Sequence, residues 1–282
     1  MKVRARSLPP GWYPAGRNQT GREIERFLGE LKGAPAAAWA GIAPHAGWTF
    51  SGLLACRVWR SLPADTETVV VVGGHLAPHS GVLAAFEEGY ETPLGVIEAD
   101  QPLFERLQGS VTLREDHYAD NTVEVQMPFL KYFYPQARAV ALRVSPSEEA
   151  VRLGEAVFEA ARFLKRKTAV IGSTDLTHYG SNYGFTPHGS GPQAVKWVKE
   201  VNDRRFIDAL LDLRLTDVLA LAAEEKSACS AGAAVTAARF AQKCGSARGN
   251  LLEYKTSYEV YPGESFVGYG AIIYPENGRP PK

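Results

Sequence analysis

Short apolar runs alternate with stretches of helical spacing along most of this chain. Four runs are almost continuously apolar, which is typical of strands covered on both faces, and two runs near the end alternate apolar with polar positions. The predicted strands are Ala38–Ala43, Thr68–Val72, Arg138–Val144, Thr168–Ser173, Asn250–Thr256 and Ser265–Tyr274. Because strands that alternate with helices favour helical layers on a central sheet, the pattern predicts one three-layer α/β/α domain over residues 1–282.

The helices are predicted from apolar positions three and four residues apart and from residues that start a helix. Thr20 and Glu23 have the spacing of a capping box. Asn121 or Thr122 is the predicted cap of the helix that begins at Glu124, and Ser147 is the predicted start of a long amphipathic helix. The predicted helices are Thr20–Lys32, Leu53–Leu62, Gln101–Gln108, Glu124–Phe133, Ser147–Lys165, Gln193–Leu211, Thr216–Glu225 and an alanine-rich helix ending near Lys243.

Segments rich in glycine, proline and polar residues connect these elements. We expect residues 1–19 to form an irregular arm and His79–Ala99 to form a pair of short strands. Ser181–Pro192 predicts a polar loop long enough to act as a lid, and residues 275–282 predict a frayed tail.

The charge balance bears on the partners of the protein. Lysine plus arginine and aspartate plus glutamate number 31 each, so no net field favours nucleic acid or an anionic membrane as a partner. No apolar run approaches the roughly 20 residues of a membrane span, and the first residues lack the apolar core of a signal peptide. We therefore expect a cytoplasmic protein.

Three cysteines without CxxC spacing support neither a disulfide framework nor a zinc ribbon. Cys56 lies among apolar positions, so we expect its thiol in the core. Cys244 is expected at the end of a helix. Cys229 precedes the alanine-rich helix, where the positive end of the helix dipole favours a thiolate and makes the sulfur a better ligand or nucleophile.

Chemically useful side chains follow three of the predicted strands. His45 follows the first, His75 the second, and Asp175 with His178 the fourth. The carboxyl ends of strands in an open α/β sheet meet at one edge, where ligands bind, so we expect these side chains to meet Cys229 there. His79 is the alternative to His75 at this edge, whereas His117 and His188 are expected to lie in solvated loops.

Two imidazoles and a thiolate suit iron, zinc or copper better than magnesium or calcium. His45, His75 and Cys229 are therefore the predicted metal ligands, and three protein ligands leave a coordination position for water, dioxygen or a substrate oxygen. His178 is the predicted acid or base, with Asp175 fixing its tautomer or charge.

Several motifs occur in the order and spacing of one protein family. The chain resembles the Memo family, also called the AmmeMemoRadiSam system protein B family, through PHAGWTFSG at Pro44, GGH ending at His75, DNTVEVQMPFL at Asp120, STDLTHYG at Ser173 and SACSAG around Cys229. That family resembles class III extradiol dioxygenases of the LigB type, which hold non-haem iron with two histidines and a glutamate. The resemblance implies a LigB-like fold with a mixed central sheet.

Carried over by motif, His45 and His75 match the two histidine ligands of the dioxygenases, and His178 matches their acid/base histidine, with Asp175 beside it. Cys229 stands where the dioxygenases have the glutamate, which alters the metal preference. Asn121 occupies a position where the family usually has histidine, and the nearby His117 is the alternative.

The resemblance implies an oxidoreductase that uses a divalent metal, most simply Fe(II) and alternatively Cu or Zn, with a small-molecule or peptide ligand in its cleft. The alternative is a non-catalytic adaptor that binds a peptide or protein in the same cleft. The family name also implies a pathway link to a radical-SAM protein.

Overall fold

The computed structural model describes residues 1–33 and 36–275 of the chain. In these residues the β-branched and alanine-rich runs form the middle of a nine-stranded sheet, and three short strands form a second sheet. The strands are β1 Val3–Arg4, β2 Ala38–Ala43, β3 Thr68–Gly73, β4 Val82–Ala84, β5 Gly89–Tyr90, β6 Ile97–Glu98, β7 Leu113–Glu115, β8 Arg138–Val144, β9 Thr168–Ser173, β10 His178–Tyr179, β11 Asn250–Thr256 and β12 Phe266–Pro275.

The large sheet has the order β10-β12-β2-β9-β3-β8-β4-β7, and β11 pairs with β12 beside this path. The four central strands β2, β9, β3 and β8 run parallel, whereas β12 pairs with β2 and β4 pairs with β8 in the antiparallel direction. Every residue of β2, β3 and β9 is buried, which explains their continuous apolar character. The parallel register brings the carboxyl ends of these strands to one edge.

Helices cover both faces of the sheet. Helix α10 packs on β9, β2 and β3 together with α6, and α2 packs on the other face with α1 and α5. The helices are α1 Arg17–Glu30, α2 Trp48–Trp59, α3 Gln101–Gln108, α4 Asn121–Glu124, α5 Met127–Phe133, α6 Glu148–Leu164, α7 Pro192–Trp197, α8 Asp203–Leu211, α9 Leu215–Glu225 and α10 Ala231–Lys243. A π-helical turn, Val198–Asn202, joins α7 to α8. The predicted α/β class with a mixed central sheet is confirmed.

Two strand glycines allow the helices to approach closely on opposite faces. A Cβ at Gly41 would lie 2.5 Å from the Val58 side chain of α2, and one at Gly172 would lie 2.5 Å from the backbone oxygen of Ala233 of α10. Substitution at either position would force the helix away from the sheet.

The N-terminal segment is more ordered than predicted. Strand β1 pairs with β5, and α1 begins at Arg17. The predicted cap at Thr20 is wrong, because its hydroxyl lies inside the helix and donates to the carbonyl oxygens of Pro14 and Gly16 at 2.8 and 3.0 Å. The His79–Ala99 segment forms three short strands, β4 to β6, rather than two.

Several other boundaries differ from the predicted ones. The helix after His45 begins at Trp48, five residues early, and the helix expected from Glu124 is broken into α4 and α5. Asp120, rather than Asn121 or Thr122, caps α4 by accepting the Thr122 N–H at 2.8 Å. The predicted tail lies outside the described residues from 276 onward. No helix within residues 1–33 and 36–275 is long and apolar enough to cross a membrane.

Candidate metal centre

His45, His75 and Cys229 form one cluster at the carboxyl edge of the central strands. One ligand atom from each residue lies within 4.8 Å of the other two. The Cys229 Sγ atom is 3.1 Å from His45 Nε2, and the two imidazole rings lie 5.0 Å apart at 85°. The described chain therefore contains a possible metal-binding site made of two imidazoles and one thiolate.

The backbone explains how three distant segments meet. His45 follows β2 after Pro44, His75 follows β3 after two glycines, and Cys229 precedes the first turn of α10. His75 has a φ of 57°, a left-handed conformation that is uncommon for a residue with a Cβ and that turns its side chain back toward His45. Such strained positions concentrate at functional sites.

A buried hydrogen-bond network orients His45. Its Nδ1 atom lies 3.3 Å from Ser173 Oγ, and Ser173 accepts a hydrogen bond from Gln126 Nε2 at 3.1 Å. Gln126 in turn accepts from the Trp59 indole at 2.7 Å and donates to the Pro44 carbonyl at 2.8 Å. Because Nδ1 faces Ser173, Nε2 is the ring nitrogen that faces Cys229.

A carboxylate orients His75 in the same way. Its Nδ1 atom lies 3.2 Å from Asp120 Oδ2, which also lies 3.1 Å from the Arg143 guanidinium. Arg143 makes a bidentate pair with the buried Asp116 at 2.8 and 2.9 Å. Burial raises the pKa of Asp120, but His75, Thr122 and Arg143 outweigh it and lower the pKa to about 2. Asp120 is therefore a carboxylate under all ordinary conditions.

The charges inside the cluster favour a thiolate. Burial raises the pKa of Cys229, but His45 and His75 outweigh it and hold the pKa well below its usual value. Burial lowers the pKa of both imidazoles, but Cys229 and Asp175 outweigh it at His45 and raise that pKa to about 8, while Asp120 and Cys229 outweigh it at His75 and raise that pKa to about 10. The cluster thus holds one anion between two cations when no metal is present.

Asp175 and His178 lie beside the cluster. Asp175 accepts the backbone N–H of His45 at 2.7 Å, and its other oxygen is 3.9 Å from His45 Nε2. Burial raises the pKa of Asp175, and His45 partly offsets that rise. His178 lies half-buried on β10, with its ring 4.9 Å from the Tyr183 ring.

A cleft of about 570 Å³ gives access to these groups. His45, His75, Asp175 and His178 all line it. The N-terminal arm forms part of its wall through Pro10, Gly11 and Trp12, and aromatic side chains line the rest, namely Phe50, Tyr183, Tyr261 and Tyr269.

The remaining histidines stay outside the cluster. His79 is exposed in the turn after β3, so His75 rather than His79 meets Cys229. His117 is exposed and lies 3.6 Å from Glu115, and His188 is exposed against the Trp197 ring. Asn121, where the motif resemblance led us to expect a histidine, lines the cleft and donates to the His45 carbonyl at 3.0 Å.

The other cysteines behave as predicted. Cys56 is fully buried in α2, where burial raises the pKa of its thiol to about 12. Cys244 follows the last residue of α10. Neither belongs to the cluster.

Sequence patterns do not identify the residues that orient the imidazoles. Asp120 and Gln126 lie within the motif DNTVEVQ, and Ser173 is the last residue of β9, so all three were visible only as parts of motifs. Their roles depend on pairings over 45 to 128 residues of chain, which local patterns do not report.

The donor set fits a metal ion. Both Nδ1 atoms are engaged by protein groups, both Nε2 atoms are available, and the sulfur between them carries a negative charge. These are the features of sites that bind borderline or soft divalent metals, in which outer hydrogen bonds orient the ligating imidazoles.

Comparisons with known proteins agree with the motifs. Residues 4–273 match the family model described as "Memo-like protein". A MEMO1 family protein of Pyrococcus abyssi is 33% identical and one of Thermococcus onnurineus is 31% identical, and each match covers 96% of this chain and 99% of the relative. Among solved structures, an uncharacterized protein from Escherichia coli K12 gives a TM-score of 0.49 at 16% identity, covering 77% of this chain and 89% of that one.

Proposed function

The chain belongs to the Memo-like protein family, and from this premise we propose that it is a metal-binding oxidoreductase whose metal is held by His45, His75 and Cys229. The metal we propose is non-haem Fe(II), with Cu or Zn as the alternatives. The substrate binds in the adjoining cleft.

One observation carries the proposal. The Cys229 sulfur lies 3.1 Å from His45 Nε2, and the Nδ1 atoms of both imidazoles already have protein partners. One ligand atom of His45, of His75 and of Cys229 all lie within 4.8 Å of one another, which is close enough for a shared metal ion. The oriented imidazoles and the depressed pKa of Cys229 support metal binding, because ligands must be deprotonated and held in place.

The proposed chemistry uses an open coordination position. A bound metal with three protein ligands supplies a Lewis acid, and with iron or copper also a redox centre, at the edge of the cleft. Cys229 supplies charge and softness to that centre, in contrast to a carboxylate.

Two neighbouring residues have proposed roles in proton transfer. His178 lines the cleft next to the cluster and accepts or donates the proton of a bound substrate. Asp175, buried and hydrogen-bonded to the His45 backbone, has the proposed role of a carboxyl group that lines the cleft beside His178 and the metal.

Metal analysis tests the proposal. Protein prepared without oxygen should bind about one metal ion per chain, and the double variant His45→Ala, His75→Ala should lose it. His79→Ala is the matched control, because this exposed histidine lies outside the cluster. Full metal occupancy in the double variant would exclude the proposed site.

A second function is favoured by the shape of the cleft. Trp12, Phe50 and Tyr261 present aromatic surface at its mouth, and Tyr261 is 69% exposed, which suits the docking of a peptide. In this alternative the chain is a non-catalytic adaptor. A partner that is retained equally by the protein, by its Cys229→Ser variant and by chelator-treated protein would favour the adaptor over the oxidoreductase.

A further inference from the structure

A second opening reaches the cluster from the side of Cys229. This pocket of about 380 Å³ is lined by His75, His178, Tyr183, Phe185, Lys226, Ala228 and Cys229. His75, His178 and Tyr183 also line the large cleft, whereas Cys229 and Lys226 line only the second pocket. The two openings therefore share one wall and approach different sides of the cluster.

The side chains that line the second pocket include one lysine and no aspartate or glutamate. Its one lysine, Lys226, has its ammonium 5.3 Å from the centre of the Phe185 ring. Among residues 1–33 and 36–275, no carboxylate pairs with this ammonium. Lys226 is therefore available for an anion from solution.

The backbone at Lys226 is also unusual. This residue ends α9 with a φ of 50°, a left-handed conformation for which helices usually use glycine. Four non-glycine residues of the described chain have a positive φ, and two of them, His75 and Lys226, line this pocket. A lysine at this position costs about 1 kcal/mol in backbone strain and places a long cationic side chain three residues from Cys229.

We propose that the second pocket binds a small carboxylate-bearing ligand, with its carboxylate on the Lys226 ammonium and the rest of the molecule directed to Cys229 and the open side of the cluster. The inference rests on the proposed function, because it assigns a substrate class to the same site. A lysine ammonium suits a carboxylate as a compact point charge, and the Phe185 ring beneath it helps to hold the ammonium at the pocket.

The test uses Cys229 as a reporter in the metal-free protein. Iodoacetate carries a carboxylate and iodoacetamide is its neutral counterpart, so the ratio of their alkylation rates at Cys229 measures recruitment of a carboxylate. We expect Lys226→Met to lower the iodoacetate rate about two- to fivefold while leaving the iodoacetamide rate unchanged. This is the size of effect expected from the loss of one ammonium whose attraction for the carboxylate is partly screened by solvent and salt. Lys226→Arg should retain the preference.

Lys165→Met is the matched control, since Lys165 is an exposed lysine in the same left-handed conformation at the end of α6. Peptide mass spectrometry follows Cys229 and Cys244 in the same digest, and the ratio at Cys244 should not change. Sodium acetate should slow alkylation at Cys229 in the parent and not in Lys226→Met, at constant ionic strength.

An unchanged rate ratio in Lys226→Met overturns the assignment of Lys226. Protection by inorganic phosphate without protection by acetate overturns the carboxylate as the ligand class. Because the assay needs no metal, its failure is distinguishable from a failure of metal binding, which the metal analysis of the His45 and His75 variants reports separately.

Discussion

The Nδ1 atom of His75 lies 3.2 Å from Oδ2 of Asp120, and this pair connects the metal cluster to helix α4 and strand β8. Asp120 caps α4, and Arg143 of β8 holds the same carboxylate oxygen at 3.1 Å. The orientation of one imidazole thus depends on a helix end, a strand and a buried ion pair.

This relationship predicts the effect of Asp120→Asn. The amide keeps the size of the carboxylate but removes the charge that holds His75 and pairs with Arg143, so metal affinity should fall about 10- to 100-fold. A chelator-competition titration measures the change. Asp65→Asn is the control, since that exposed carboxylate pairs only with Lys167 on the surface, and equal affinity in both variants would contradict the role of Asp120.

Proton release provides a second prediction. In the metal-free protein the pKa is about 8 for His45 and about 10 for His75, while Cys229 is already a thiolate at neutral pH. A metal must therefore displace about two protons at pH 7, both from imidazoles. Affinity should rise with pH, steeply below about pH 8 and less steeply between about 8 and 10.

Calorimetric titration in buffers of different ionisation enthalpy measures the number of protons released. Release of about three protons at pH 7 would mean that Cys229 is a neutral thiol in the free protein. Release of none would mean that the imidazoles are neutral before the metal binds. For the metal that the His75→Ala variant still binds, the number of protons released per metal ion should be smaller by about one.

The sequence predicted the ends of the central strands well and the packing around them poorly. Val70 lies in a run of four valines, and such a run favours a buried strand wherever it occurs, so β3 and the position of His75 followed from local pattern. Thr20 matched the pattern of a cap, but local hydrogen bonding to Gly16 placed it inside α1.

The supporting residues of the cluster required tertiary information. Asp120 reaches His75 across 45 residues and Ser173 reaches His45 across 128, and polar residues of these types cap helices or end strands equally well without a ligand nearby. Family resemblance pointed to the ligands by motif, whereas hydrogen bonds between segments identify what holds them.

Asp203 allows a prediction about stability. This carboxylate is fully buried at the start of α8 and accepts hydrogen bonds from Thr177 N at 3.0 Å and from the Tyr254 hydroxyl at 2.7 Å. No lysine, arginine or histidine of residues 1–33 and 36–275 forms an ion pair with it. Burial raises the pKa of Asp203 to about 7, although its hydrogen bonds oppose the rise.

The folded state therefore binds this proton more tightly than the unfolded state, whose pKa is about 3.9. The stabilising effect of the proton is present below about pH 4 and is lost as pH rises through about 7. Asp203→Asn mimics the protonated form at every pH, so its melting temperature relative to the parent should rise by roughly 5 °C or more between pH 5 and pH 8. Thermal unfolding measures this, with Asp208→Asn as the control, since Asp208 of the same helix is only half-buried and pairs with Arg204; a pH-independent difference would contradict the raised pKa.

Gly74 links the two sides of the metal cluster. It precedes His75, and a Cβ at this position would lie 2.5 Å from the Ser230 Cβ and 2.8 Å from the Ser230 Cα, next to Cys229. Gly74→Ala should therefore push the histidine and cysteine segments apart, destabilising the fold by about 1–3 kcal/mol. Metal affinity should fall as well, because the distance between His75 and Cys229 increases.

Denaturant unfolding and chelator competition measure the two effects of Gly74→Ala. Ser230→Gly removes the two side-chain atoms that clash and leaves the Cα, so the double variant should recover part of both losses, and the coupling in the mutant cycle isolates the contact with the Ser230 side chain. Gly109→Ala is the control, since a Cβ there meets its nearest atoms at 3.6 and 3.8 Å, an ordinary contact. Strictly additive effects of Gly74→Ala and Ser230→Gly would show that the close approach of β3 and α10 does not set the separation of the two ligands.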